Sequence, residues 1–409
     1  MSMKTINKIA ILISWPRELD MFLTFFKNTS DSFIIIVDDF DYIAYERVGN
    51  AKDIVELVEG KMEYVLLSKI LGKLKYKILF STAQTLQEKV TYSSYLRYIY
   101  AISIGSFIDY SRMSKIFLRL IGRPLTGGGR NAKKFGEYHV ENIISEKVIR
   151  YPKGLDISML RFPERRWKHV FNTYLCHSNL DKNLINNSFS DAKCINIGYP
   201  RYDNIPSTKH AKDIIYNDID NIDASKPVLL WMPTFIKMRG EFIDNVKLWT
   251  PIITKLINKY NVLVRPHPKT VSIDPEIISY LIELGFTVDG KKGRNLGVLY
   301  QSADLVLADY GGSILSSVYM KKKLILLNTT NKKYINWREK RMYTDIDVRK
   351  NIKTFNINDG DLLIEQIKLE LQEDDILERN KLKEKYFGSG CNHKDLSKFF
   401  YELKKELNN

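Results

Sequence analysis

Two short stretches carry the side chains best suited to chemistry on a charged substrate. Arg265-Pro266-His267-Pro268 sets a guanidinium two residues before an imidazole. The first is always charged and forks onto phosphate, and the second exchanges a proton near neutral pH. The two prolines fix the backbone and remove donors, so the pair stands on a rigid loop. Asp309-Tyr310-Gly311-Gly312-Ser313 follows an apolar run, with Ser316 and Ser317 one turn further on. Glycines at the start of a helix let an anion approach unpaired backbone N–H groups. Together the two stretches suit a diphosphate whose leaving group needs charge stabilisation or a proton. Each also fits a plain strand–turn–helix with a histidine that only orders its loop.

The elements that must position these residues are strands. Asn261–Val264 leads directly into the arginine–histidine loop, and Leu305–Ala308 leads into the glycine turn. After the turn, Ile314, Leu315, Val318 and Tyr319 recur at helical spacing, Lys321-Lys322-Lys323 close the helix, and Leu324–Leu327 restarts a strand. Earlier, Ile9–Ser14, Ser32–Val37, Val65–Leu67 and Lys77–Ser81 read as strands, with a helix over Asp53–Glu59. Val148–Leu155 reads as a strand running into a tight turn, and Tyr174–His177 and Cys194–Ile197 as two more short strands. Pro227–Trp231 opens the second half and runs into Met232-Pro233-Thr234-Phe235, with helices near Pro251–Tyr260 and Glu276–Leu284. Gly360–Leu403 is mostly helical, broken at Tyr386–Gly390. Strands alternating with helices predict an α/β chain with parallel sheets. Such sheets bind ligands at the carboxyl ends of their strands, where both polar stretches fall. Ser207–Lys226 is polar throughout and is the best interdomain linker.

Composition narrows the partners. The 409 residues carry 63 Lys+Arg against 48 Asp+Glu, a net charge of +15, which favours nucleotides, anionic lipid or nucleic acid. No aromatic–basic recognition motif supports nucleic acid. Cys176, Cys194 and Cys391 lack metal-ligand spacing and read as reduced thiols. Asp38-Asp39-Phe40-Asp41 contains an Asp-x-Asp, but it lies in the first half and reads as a loop, so no metal or cofactor is expected. No apolar run is long enough to span a bilayer, and Ile9–Ile13 is too short for a signal peptide. Thr91–Leu120 is rich in Tyr, Ile and Leu with interspersed Arg and Lys. It reads as amphipathic helices packed on a sheet, with a membrane interface as the alternative. Arg123–Arg130 holds three glycines without the Lys-Ser pair of a P-loop.

Two Rossmann-like halves with ligand loops in the second suggest a GT-B architecture. Gly198-Tyr199-Pro200-Arg201-Tyr202-Asp203, Pro233-Thr234-Phe235, Arg265–Pro268 and Asp309–Ser313 occur in that order. From roughly Val148 to the end, the set resembles the CDP-glycerol glycerophosphotransferase family of teichoic acid synthesis. The resemblance implies a bacterial transferase, cytoplasmic and peripheral on the inner face of the membrane, in contact with anionic lipid. It would move glycerol phosphate or a similar polyol phosphate from a CDP-linked, nucleotide-activated donor to a glycan or lipid-linked acceptor. Residues 1–205 would form the acceptor domain and 206–385 the nucleotide-donor domain, with 386–409 a helix packing back on the first. His267 would be catalytic. Arg265, Thr234, Asp309, Gly311, Gly312, Ser313, Ser316 and Ser317 would face the donor, and Tyr199, Arg201 and Asp203 would shape the cleft. The family's His-Gly pair is replaced here by Lys153-Gly154. Lysine is a poor base unless desolvated, so Lys153 would act in the site as a base or phosphate ligand, with Glu241, His139 and Asp156 as other candidates for the base. That departure keeps a second reading open, a GT-B glycosyltransferase using a CMP-, UDP- or GDP-sugar for capsule or O-antigen.

Overall fold

The computed structural model describes residues 3–26, 33–39, 50–70, 73–82, 140–164, 167–168, 170–203, 205–238, 240–291, 294–388 and 393–408. Thr91–Leu120, Arg123–Arg130, His139, Asp41 and Cys391 lie outside these residues.

The apolar runs of the first half become β1 (Lys4–Ile13), β2 (Phe33–Val37), β3 (Tyr64–Leu66), β4 (Leu74–Ser81), β5 (Ser145–Arg150), β6 (Thr173–Cys176) and β7 (Lys193–Asn196). They form a seven-stranded sheet in the order β3-β2-β1-β4-β5-β6-β7, parallel at every pairing. A parallel strand is covered on both faces, so its side chains are apolar in both directions. In β1, Ile9, Ile11 and Ile13 enter one core with Phe22, Phe25 and Phe80. Ala10 and Leu12 enter the opposite one with Ile36, Trp167 and Tyr174.

The second half repeats the plan. β8 (Val228–Met232), β11 (Asn261–Val264), β12 (Thr287–Val288), β13 (Leu305–Ala308), β14 (Leu324–Leu327) and β15 (Thr354–Phe355) form a parallel sheet, ordered β12-β11-β8-β13-β14-β15. Val228 and Leu230 point into a core with Leu299, Ile314 and Leu315. Leu229 and Trp231 point into another with Trp249, Leu363 and Ile367. Between β8 and β11, β9 (Ile236–Met238) and β10 (Glu241–Ile243) make a small antiparallel hairpin. Both main sheets start centrally, run outward, then cross to the other side, which is the doubly wound order.

Two elements differ from the sequence reading, and the end of the chain divides between the halves. The polar stretch Ser207–Lys226 holds a helix over Thr208–Asp218, capped by Ser207, with Ala211 and Ile215 buried one turn apart. It packs on the Leu296–Ser302 helix and so is structured over half its length. The helix placed near Pro251–Tyr260 begins earlier, at Asn245, because the Asp244 side chain caps it by accepting from Lys247 N. At the end of the chain, Tyr386 and Phe387 bury in the second half. The His393–Asn408 helix then returns to the first sheet, where Phe399 and Leu403 join its core.

Candidate functional site

In a doubly wound sheet the chain leaves a crevice where the strand order reverses, between the first strand and the fourth. In the second half that crevice lies between the carboxyl ends of β8 and β13, which carry Thr234 and the glycine turn. Asp309 spans it. Its buried carboxylate accepts from Thr234 N at 2.9 Å, Tyr310 N at 2.7 Å and Asn245 Nδ2 at 2.7 Å. Burial raises its carboxyl to about 6, against the pull of these donors and of Arg349. The guanidinium of Arg349 lies 4.3 Å from the Tyr310 ring centre and donates to the Asp309 carbonyl. Asp309 therefore fixes the two loops relative to each other.

Gly311 turns the chain at φ 77° and ψ −146°, a region open almost solely to glycine, and its N–H donates to Asp345 Oδ2 at 2.8 Å. That bond takes Gly311 N–H away from any anion. Gly312 is exposed, with nothing within 4 Å of where a Cβ would stand, and it begins the Gly312–Tyr319 helix with Ser313 behind it. Ser316 and Ser317, expected to face donor phosphates, are buried on the helix's inner side. The Ser316 hydroxyl accepts from Tyr202 at 3.0 Å, and Ser317 donates to the Ser313 carbonyl at 2.8 Å. At Gly311 an added Cβ would lie 3.5 Å from Asp156 Oδ2, an ordinary contact, so the obstacle to a side chain is the backbone angle. Gly311→Ala is expected to lose about 1–3 kcal/mol of stability by urea unfolding. An unchanged midpoint would show that the turn tolerates a side chain.

On the other side of β8, β11 ends in Arg265 and His267. Arg265 Nη1 bonds Asp289 Oδ2 at 2.5 Å and the Lys291 carbonyl at 3.0 Å. Asp289 also holds Arg294, so Arg265 is anchored towards β12. His267 caps the Pro268–Ile273 helix, its Nδ1 accepting from Lys269 N at 3.1 Å. Its ring lies 6.0 Å from that of Phe235, which stacks on Phe242 of the β9–β10 hairpin at 5.5 Å. Glu241, at the start of that hairpin, is exposed.

The densest polar group was only partly visible in the sequence. Arg338 is 5% exposed. Its Nη2 bonds Asp156 Oδ1 and Oδ2 at 2.9 and 2.7 Å and Asp345 Oδ1 at 2.6 Å. Its guanidinium sits 4.0 Å from the Tyr343 ring centre. Asp345 in turn holds Gly311, so one arginine links the loop after β5 to the glycine turn. Burial and the neighbouring Asp345 raise the Asp156 carboxyl to about 6, despite Arg338.

The first sheet has its own crevice, between β1 and β4. Buried Glu18 spans it, accepting from Ser14 N at 2.8 Å, Trp15 N at 3.1 Å and Thr82 Oγ1 at 2.5 Å. Burial raises its carboxyl, and the charge of half-buried Lys153 opposes that. Nearby, His177 is buried, bonds the Gly198 carbonyl through Nδ1 at 2.8 Å and packs against Tyr199 with ring centres 4.3 Å apart and the rings tilted. Burial lowers its pKa to about 4, so it is a neutral strut. Tyr199, Arg201 and Asp203 form a brace between the halves. Tyr199 N donates to Tyr319 Oη at 2.8 Å, and that hydroxyl donates to Asp203. Arg201 reaches Asp20 of the Pro16–Phe26 helix at 2.9 Å.

No curated protein sequence matches this chain. Among solved structures it is similar to the wall teichoic acid polymerase TagF, at 14% identity and a TM-score of 0.60, covering 99% of this chain and 90% of that one. A TagF variant soaked with CDPG gives a TM-score of 0.59 at 14% identity and the same coverage. A complex of S. aureus MnaA with UDP aligns at 11% identity and a TM-score of 0.51, covering 99% of this chain and 97% of that one. These likenesses establish the GT-B fold. The family model for CDP-glycerol:poly(glycerophosphate) glycerophosphotransferase matches residues 158–389, more than half of the sequence and all of the second crevice. This chain therefore belongs to the CDP-glycerol:poly(glycerophosphate) glycerophosphotransferase family.

Proposed function

We propose that this transferase moves glycerol phosphate from CDP-glycerol to a glycan or lipid-linked acceptor of a bacterial cell-surface polymer, working peripherally on the inner face of the membrane. One observation carries the site assignment. Within the family match, Asp309 holds the Thr234 loop and the Gly311–Ser313 turn together at the ends of neighbouring strands β8 and β13, and the His267 loop ends β11 on the other side of β8.

In that reading the N–H groups of Gly312 and Ser313, at the positive end of their helix, hold the diphosphate. Arg265 adds charge from the end of β11, across β8 from the turn. An acceptor hydroxyl attacks the phosphorus that bears glycerol, an O–P bond forms, and the P–O bond to CMP breaks with its electron pair leaving on CMP. His267 donates a hydrogen bond or proton to that leaving phosphate. Asp156 takes the proton of the hydroxyl. It stands beside Gly311, and burial with the neighbouring Asp345 raises its carboxyl to about 6. The charge of Lys153 acts on Glu18 in the first sheet and Glu241 stands on an exposed hairpin, so Asp156 is the better placed.

The test is a thermal-shift series with CDP-glycerol, CDP, CMP, UDP and GDP, followed by CMP release from CDP-glycerol. A ligand that binds only the folded chain raises its melting temperature by mass action. The cytidine set is expected to stabilise and UDP and GDP to leave the melting temperature unchanged. Stabilisation by UDP or GDP alone would replace glycerol phosphate transfer with sugar transfer.

A further inference from the structure

The loop after Asp156 and the loop before Asp345 are fastened into one ridge. Met159 N donates to the Met342 carbonyl at 3.0 Å, and Thr344 N donates to the Ile157 carbonyl at 3.0 Å. Ser158 and Tyr343 form an antiparallel bridge, and the Ser158 hydroxyl donates to the Arg341 carbonyl at 2.8 Å. The ridge turns large apolar side chains outward: Leu160 is 63% exposed and Met342 is 53% exposed. Met342 does so at φ 51°, a conformation that disfavours any residue but glycine. A side chain kept at a strained position and left in water is not serving the core.

What surrounds these two residues identifies the partner. Trp337 is half-buried, with the Arg341 guanidinium 4.5 Å from its ring centre, and Arg161 and Lys340 are exposed. Glu339, in the Lys332–Lys340 helix with Trp337 and Lys340, is exposed and offsets one of the three cations. Aliphatic side chains, an indole and a surplus of Arg and Lys are the composition that settles at a membrane–water boundary. Cations there are drawn to an anionic leaflet while the apolar groups enter it. We propose that this ridge docks the enzyme on an anionic lipid bilayer. The inference rests on the lipid-linked acceptor proposed above. It supplies the geometry that reading needs, since the ridge is continuous in sequence with Asp156 and with Asp345, which holds the glycine turn.

The full chain is sedimented with vesicles of phosphatidylglycerol and phosphatidylcholine, and with phosphatidylcholine alone. The wild type is expected to partition onto the anionic vesicles, and the double variant Leu160→Ser, Met342→Gly about tenfold less. Glycine suits the backbone at 342, so the melting temperature of the variant should hold or rise. Its thermal shift with CDP-glycerol should match the wild type, which separates failure of the ridge from failure of the donor site. Three results would each overturn the proposal: no vesicle binding by the wild type, equal binding by the variant, or equal binding to neutral vesicles. Loss of self-association in the variant, with vesicle binding intact, would assign the ridge to a second copy of the chain instead.

Discussion

The His267→Ala variant is expected to turn over CDP-glycerol about a hundredfold more slowly than the wild type, or worse. The imidazole has two duties in this structure, and the experiment must part them. Its Nδ1 accepts from Lys269 N and so caps the Pro268–Ile273 helix. That bond leaves the ring proton of the neutral form on Nε2, the nitrogen suited to donate to a leaving phosphate. Losing a cap alone costs about 1 kcal/mol of stability and leaves the chemistry intact. Asparagine also caps helices but cannot relay a proton, so His267→Asn isolates the second duty. If the imidazole acts on the leaving group, Asn is as slow as Ala at saturating donor while the fold is kept. Near-normal turnover in His267→Asn would reduce His267 to an ordering residue.

The sheets were legible in the sequence because a parallel strand must be apolar on both faces. Ile9–Ile13, Leu305–Ala308 and Leu324–Leu327 are unbroken apolar runs, and all became central or near-central strands. The Thr208–Asp218 helix was hidden by the opposite circumstance. It fully buries only Ala211 and Ile215, with Ile214 and Tyr216 packed on the core in part, and its remaining residues are largely polar, so its composition matches a linker. Propensity and polarity report a segment's own face, not the neighbour that will cover it.

The same limit governed the site. The glycine turn and the arginine–histidine loop were visible because each packs its chemistry into five residues or fewer. Ser316 and Ser317 were placed with the turn by nearness in sequence. Helical geometry carries them inward, between Leu315 and Val318, and Ser317 bonds back to the carbonyl four residues earlier. Asp309 was assigned to the donor, yet its three backbone and amide donors make it the tie between two loops. Arg338 left no local signal at all. Its partner Asp156 lies 182 residues away, and only the folding of the loop after β5 across the second half brings them together.

That separation makes Arg338 the most consequential position outside the chemistry. Arg338→Met is expected to destabilise the chain by about 3–5 kcal/mol at pH 7.5, because it strands Asp156 and Asp345 together in a buried setting. The deficit should shrink at pH 5. In the wild type the folded Asp156 already titrates near 6, above its unfolded value. A carboxyl raised in this way favours folding when protonated. Its contribution is complete below the unfolded pKa and is lost as pH rises through the folded one. Removing the arginine takes away the charge that holds the Asp156 carboxyl down, so that carboxyl rises further and the variant's loss extends to higher pH, and urea unfolding at the two pH values reads the difference. Turnover should fall as well, since Asp345 would no longer hold Gly311 N–H in place and the N–H groups of Gly312 and Ser313 would lose their aim. Equal deficits at pH 5 and 7.5 would mean that the arginine stabilises by packing on Tyr343 rather than by charge, and normal turnover would uncouple the glycine turn from the ion cluster.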